Sequence, residues 1–329
     1  MMMLRGASRL TVAAAFAMAV TVYMATVDAA AQAPAQAPAH APARVSPRVF
    51  PTSDEAVKAL VAAAKADGMD GLLAIFGPEG KELVSSRDAA VTRRNRQVFV
   101  AAAAEHWELQ EPSANMRVLI VGNEGWPFPV PLVKDAKGWR FDTAAGKQEV
   151  LSRRIGRNEL AVMQICRTYV EAQRIYAASA HDGQAAGLYA TKFRSDPGTQ
   201  NGLYWPAGRK ERRSPLGDLV ANAAAEGRSI GVSAPPAPFH GYLFKILTAQ
   251  GKAAPGGVKS YLADGKMSGG FALVAWPAQY GSTGIMTFVV NQDGILREKD
   301  IGPGTGTVAK AMTAYDPDVA WTVVVPPNP

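Results

Sequence analysis

The apolar residues of this chain change their repeat along its length, and that alternation limits the folds open to it. Between Thr52 and Glu105 they recur at helical spacing: Val57, Leu60, Val61 and Ala64, then Leu72, Leu73 and Phe76, then Val91, Val98, Phe99 and Ala102. From Met116 to Phe141 the repeat is that of strands. A helical stripe returns between Asn158 and Ala180, and strand-like runs take over again from His240 to Lys299. Helix runs followed by strand runs, rather than strict alternation, indicate helices laid on antiparallel sheets, the α+β class. The pattern occurs twice, so it predicts two α+β domains, residues 49–156 and 157–329, each with its own core.

Local signals fix the elements. Thr52 followed by Glu55 has capping-box spacing, Asp67-Gly68 stops the first helix, and Gly77-Pro78 ends the second. The third is expected from about Asp88, with its apolar residues inward and Arg93, Arg94 and Arg96 outward. Strands are expected at Met116–Val121, Val130–Val133 and Trp139–Phe141. In the second half Val162, Met163, Cys166, Tyr169, Val170, Gln173 and Tyr176 share one helical stripe, which predicts a buried, inert thiol at Cys166. A turn-rich stretch follows, then a short helix from Ser214-Pro215 to Ala225. Strands are expected at Tyr242–Leu247, Phe271–Trp276, Ile285–Val290 and Ile295–Lys299, with a hairpin at Asn291-Gln292-Asp293-Gly294.

The first 31 residues read as a secretory signal: Arg5 and Arg9, an apolar run from Leu10 to Val27, and small residues Ala29-Ala30-Ala31 before Gln32. Cleavage there predicts a periplasmic or secreted protein starting at Gln32; the alternative is a retained anchor. Residues 32–48 form an Ala/Pro linker that cannot bury a core. The net charge of +7 comes without a long Lys/Arg block, which argues against nucleic acid as a partner. The densest basic cluster, Arg209 to Arg213, is interrupted by Glu211 and reads as a solvated loop. Contact with a membrane is expected only through the signal segment, if uncleaved. A single cysteine excludes an intramolecular disulfide and any cysteine metal cluster.

Local catalytic signatures are absent. There is no H-E-x-x-H, the four histidines (His40, His106, His181, His240) are scattered, and Gly281-Ser282-Thr283-Gly284 lacks nucleophile-elbow spacing. Gly302-Pro303-Gly304-Thr305-Gly306 lacks the lysine of a phosphate loop. No metal, cofactor or catalytic residue is therefore expected. Three of the six tryptophans precede proline, at Trp126, Trp205 and Trp276. Proline holds its predecessor extended, so these indoles mark strand ends or bends. Either they pack over those bends, or Trp126, Trp205, Trp276 and Tyr280 line an aromatic groove for a peptide or sugar, with Glu124 and Asp142 as polar contacts.

The run Gly125-Trp126-Pro127-Phe128-Pro129-Val130-Pro131 continues through Gly138-Trp139-Arg140-Phe141-Asp142-Thr143 to Arg153-Arg154-Ile155-Gly156-Arg157-Asn158-Glu159-Leu160. With Phe271–Pro277 and Gly284–Gly294, it resembles the secreted bacterial family catalogued as domain-of-unknown-function 2950. The likeness spans roughly Phe50 to Trp321 and implies no catalytic residues. In element order the first half resembles cystatin-like or nuclear-transport-factor-like cones. The second resembles the soluble domains of type IV pilin-like proteins, a helix leading into an antiparallel meander, without a pilin-type processing site before it. Together these readings favour a non-catalytic, envelope-associated module that binds a protein, peptide or glycan. The alternatives are a hydrolase of envelope polymers with a long-range triad through His181 or His240, and a structural component docking on a pilus or secretion assembly.

Overall fold

In the computed structural model the described residues are 46–66, 68–86, 89–206, 213–220 and 237–325. The signal segment, nearly all of the linker, Asp67, Asp88, most of the 209–213 cluster and the end of the 214–225 helix lie outside them.

The chain is α+β. Helices α1 (Ser53–Lys65), α2 (Met69–Phe76), α3 (Lys81–Val84) and α4 (Ala89–Glu105) come first. The Thr52 side chain caps α1, its hydroxyl accepting from the Glu55 backbone N–H at 3.2 Å. A sheet follows: β1 (Trp107–Ser113), β2 (Met116–Val121), β3 (Trp126–Pro127), β4 (Leu132–Asp135) and β5 (Gly138–Phe141), all antiparallel, in the order β1-β2-β4-β5 with β3 on β2. Val57, Leu60, Leu72 and Phe76 from the helices meet Leu119, Leu132 and Phe141 from the sheet in one cluster of buried residues.

The next helix departs from expectation. Rather than starting at Asn158, α5 runs unbroken for 35 residues, Thr143–Ala177, through the expected domain boundary at Gly156. Asp142 caps it, Oδ1 accepting from the Ala145 N–H at 3.1 Å, so this carboxylate is committed to the helix start rather than to a groove. Near its start α5 lies directly against the loop between β3 and β4: a Cβ on Gly146 would come 2.6 Å from Val130 Cγ2. Beyond Ile155 it serves a second cluster, to which Val162, Cys166, Tyr169, Val170 and Tyr176 all belong.

That second cluster rests on β6 (Tyr242–Leu247), β7 (Ala272–Pro277), β8 (Met286–Asn291), β9 (Arg297–Asp300) and β10 (Thr322–Val323), an antiparallel meander with β10 added at the β9 edge. The expected turn at residues 291–294 is present, closed by the Gly294 N–H on the Asn291 carbonyl at 3.0 Å, with Gly294 at φ +78°. A last helix, α6 (Thr305–Ala311), lies beside β7.

One carboxylate ties α5 to the meander. Glu159 Oε1 accepts from the backbone N–H groups of Ile285 (2.8 Å) and Met286 (3.0 Å) and from the Tyr242 hydroxyl (3.2 Å). Beside it, Asn158 Nδ2 donates to the Thr283 carbonyl at 2.8 Å. Gly284 is required here, because a Cβ would overlap the Tyr242 hydroxyl. Further along, the fully buried Gln173 uses both ends of its amide on Ala190, donating at 2.8 Å and accepting at 2.9 Å, and so fixes the chain that leaves the helix.

Candidate functional site

Between α1, α2, α4 and the turn after β3 lies a cavity of about 350 Å³. Its floor is apolar: Leu60, Leu72, Phe76 and Val130 are each at most 5% exposed. Phe128 is the centre of an aromatic group, 5.3 Å from Phe99, 6.2 Å from Phe141 and 6.5 Å from Phe76 between ring centroids. Trp126 stands edge-on to Phe128 at 6.2 Å and is 47% exposed, so it forms a rim rather than a floor. The Arg153 guanidinium lies 5.7 Å from the Trp126 ring and donates to the Pro127 carbonyl (2.8 Å) and Glu149 (2.7 Å), which holds the indole's strand in place.

The remaining wall comes from the α3–α4 region and has the opposite character. Thr92, Asn95, Arg96 and Phe99 line the cavity, and positions i, i+3, i+4 and i+7 are one face of a helix. The expectation that Val91 and Val98 point inward and Arg96 outward is corrected here. Val91 and Val98 are 44% and 62% exposed, and Arg96 borders the cavity. The first half of α4 is therefore largely exposed, and the side it turns to the cavity is polar: Thr92 and Arg96 are half-buried there, with Asn95 exposed at the edge. Its floor contacts come later, from Phe99 and the buried Ala103. Ser86 and Thr92 share a hydroxyl contact of 3.1 Å on this wall. Glu82, also at the edge, is matched by Lys147 at 2.9 Å, whose hydrogen bond and charge hold the carboxyl below its ordinary range.

Of the four aromatic residues expected to line a groove, this wall includes Trp126 alone. Trp205 and Trp276 belong to the second cluster and are 4% and 5% exposed. Tyr280 is half-buried after β7, and its hydroxyl donates to Asp300 Oδ2 at 3.2 Å. Glu124 is exposed in the 122–125 turn. His181 is buried against Tyr176, the rings stacked at 4.0 Å; Nε2 lies 2.9 Å from the Tyr176 carbonyl and Nδ1 3.3 Å from Gln200 Oε1. Neither nitrogen faces a hydroxyl nucleophile or a carboxylate. His240 adopts φ +47° with its ring 4.4 Å from Phe239. Among the described residues no three His, Cys, Asp or Glu side chains gather as a metal site would require, and no helix is long and apolar enough to cross a membrane.

Cys166 is fully buried on its expected stripe, and burial pushes the thiol up to about 12. At neutral pH it carries essentially no thiolate, so a thiol reagent is expected to label native protein far more slowly than unfolded protein. Cys166→Ser is expected to cost about 1–3 kcal/mol in a urea melt, because it buries a hydroxyl in an apolar site. Equal labelling of both states would remove Cys166 from the core.

The cavity wall is what sequence reasoning missed. The signal was present as Thr92-x-x-Asn95-Arg96-x-x-Phe99, a polar stripe at helical spacing, but it competes with Val91 and Val98 and is meaningful only once the helix is oriented. No curated protein and no solved structure matches this chain. A family model described as a protein of unknown function, DUF2950, matches residues 47–324, which takes in both clusters and the helix between them. The chain belongs to the DUF2950 family.

Proposed function

We propose that this is an exported, non-catalytic binding protein whose ligand enters the cavity of the first half. The observation that carries the reading is the polar side that α4 turns to the cavity. A helix covering an apolar floor ordinarily closes it with apolar side chains, yet here the half-buried Thr92 and Arg96 and the exposed Asn95 border the cavity while two valines face solvent. A concave, mostly apolar space with a few convergent polar groups is the usual form of a small-molecule site, and 350 Å³ is within its size range of roughly 300–1,000 Å³. Export is supported by the basic head, apolar run and small-residue site of residues 1–31. The two clusters of buried residues support treating residues 49–156 and 157–329 as separate folding units joined through α5.

Ala64, 5% exposed on α1, borders the cavity and offers the direct test. A neutral, apolar fluorophore that brightens out of water is expected to bind the wild type saturably. Ala64→Phe is expected to abolish that signal while leaving the melt unchanged or raising stability by about 0.5–2 kcal/mol, as cavity filling does. A fluorophore that fails to bind, or that binds Ala64→Phe equally well, would overturn the reading.

A further inference from the structure

The polar groups around the cavity already have partners inside the protein, and that narrows what the cavity can hold; the step rests on the binding role just proposed. Glu82 is matched by Lys147 at 2.9 Å. Thr92 Oγ1 accepts from the Ser86 backbone N–H at 2.8 Å and lies 3.1 Å from its hydroxyl. Arg96 is likewise engaged, and Asn95 is open to solvent at the edge. A ligand could recruit the first three only by breaking contacts that exist, leaving a polar group unpaired. The floor is different. Leu60, Leu72 and Phe76 are buried carbon, so the gain on binding comes from carbon surface leaving water. An uncharged, carbon-rich ligand is favoured over an ion of either sign.

The lining selects shape. Phe76, Phe99 and Phe128 border one space, with Trp126 at its rim. Phe128 meets Phe99 at 48° and Trp126 at 82°, with centroids 5.3 and 6.2 Å apart. Rings tilted in this way present faces and edges together, and a flat guest ring extends the arrangement through contacts worth more than the area they bury. A saturated chain gains area alone and gives up its rotamer freedom. Volume sets the number of rings. An apolar cavity of about 150 Å³ holds one benzene, so 350 Å³ accommodates two or three rings.

We infer that the cavity takes an uncharged ligand with a flat nucleus of two or three aromatic rings, seated against Phe76, Phe99 and Phe128 beneath the Trp126 rim. Any polar substituent of that ligand stands at the mouth, in water. The phenyl rings set the preference for a flat nucleus, and the self-paired polar wall removes any preference for charge.

The test measures binding to the full mature chain by displacement of the neutral fluorophore. The competitors are benzyl alcohol, naphthylmethanol, undecanol, naphthoate and naphthylmethylammonium. Naphthylmethanol is expected to bind roughly tenfold more tightly than benzyl alcohol, because a second ring leaves water. It is also expected to bind at least as tightly as undecanol, which has the same number of carbons and leaves water more readily. Neither the carboxylate nor the ammonium ion is expected to bind more tightly than the alcohol with the same rings. Phe99→Leu is expected to weaken naphthylmethanol about fivefold while leaving undecanol within about twofold of wild type. Undecanol binding more tightly than naphthylmethanol, or either ion binding more tightly than it, would overturn this inference while leaving the cavity a binding site. If neither the fluorophore nor any competitor binds, the proposed function itself fails. The wild-type series decides the matter even if Phe99→Leu does not fold.

Discussion

Trp276→Ala and Trp205→Ala are each expected to destabilise the protein by about 3–5 kcal/mol, the range for emptying an aromatic core position. Both indoles are about 5% exposed within the cluster built on α5 and the meander. Trp276 also lies in β7, a strand hydrogen-bonded to both β6 and β8, and is paired with Leu243 of β6, so its loss leaves a void inside that sheet's core. Trp126→Ala should behave differently. Its ring is 47% exposed and its main contacts are Phe128 and the Arg153 guanidinium, so the melt is expected to stay within about 1 kcal/mol of wild type. Its effect should appear instead in binding, as weaker capture of the neutral fluorophore at the rim it forms. Urea melts of the three variants measured alongside fluorophore titrations provide the comparison. A Trp126→Ala protein that unfolds like the other two would make it a core residue, and unchanged binding would remove it from the site.

Glu159→Leu is expected to destabilise by about 2–4 kcal/mol, the cost of removing a half-buried carboxylate that accepts charge-assisted hydrogen bonds from two backbone N–H groups. The mutation takes away the acceptor of the Ile285 and Met286 backbone N–H groups and leaves them with no replacement, while the Tyr242 hydroxyl keeps the Met286 carbonyl at 2.9 Å. Glu159→Gln retains an oxygen in the same place and should cost much less. A second carboxylate reports the same site from the other side. Glu298 has its pKa raised, first by burial and then by the nearby Glu159 charge. A carboxyl raised in the folded state opposes folding when ionised, so its unfavourable contribution is largest above its folded pKa and is relieved as pH falls through that value. Substituting Glu159 should therefore return Glu298 toward ordinary behaviour and flatten this part of the acid profile. A Glu159→Leu protein that melts with the wild type would show that the helix is held elsewhere.

How much of this was legible in the sequence depends on where the apolar repeat is strong. Tyr242–Leu247 was readable to the residue because the run is dense in large apolar side chains, and β7 and β8 fall within one residue of expectation. The first fifteen residues of α5 were not. Between Thr143 and Arg157 only Thr143, Gly146 and Ile155 are buried, so no stripe announces the helix, and Gly156 argues for a break that continuous hydrogen bonding overrides. Strand β1 was missed for a similar reason: Glu108, Gln110 and Glu111 dilute its alternation, and its pairing with β2 supplies what the side chains do not. The α+β class survives these omissions because it depends on the order of repeats, not on their boundaries. The cavity was hidden for a different reason. Assigning the apolar side of α4 to the interior is the right default, and a binding site is where that default fails.

Helix α5 also places a constraint on how chains of this kind can change length. Gly146 fixes one end in rotation against Val130, and Glu159 fixes the other against residues 285–286. A single residue inserted between them would turn the downstream anchor by about 100° and advance it by about 1.5 Å, and no loop is present to absorb the error. The two contacts work like keyed couplings on one shaft. Insertions of about seven or eleven residues would restore the phase, but only by lengthening the shaft by roughly 10–16 Å. Natural length variation is therefore expected in the turns, such as those spanning 178–206 and 251–270, while the stretch from 146 to 159 keeps a constant number of residues even where its exposed side chains diverge.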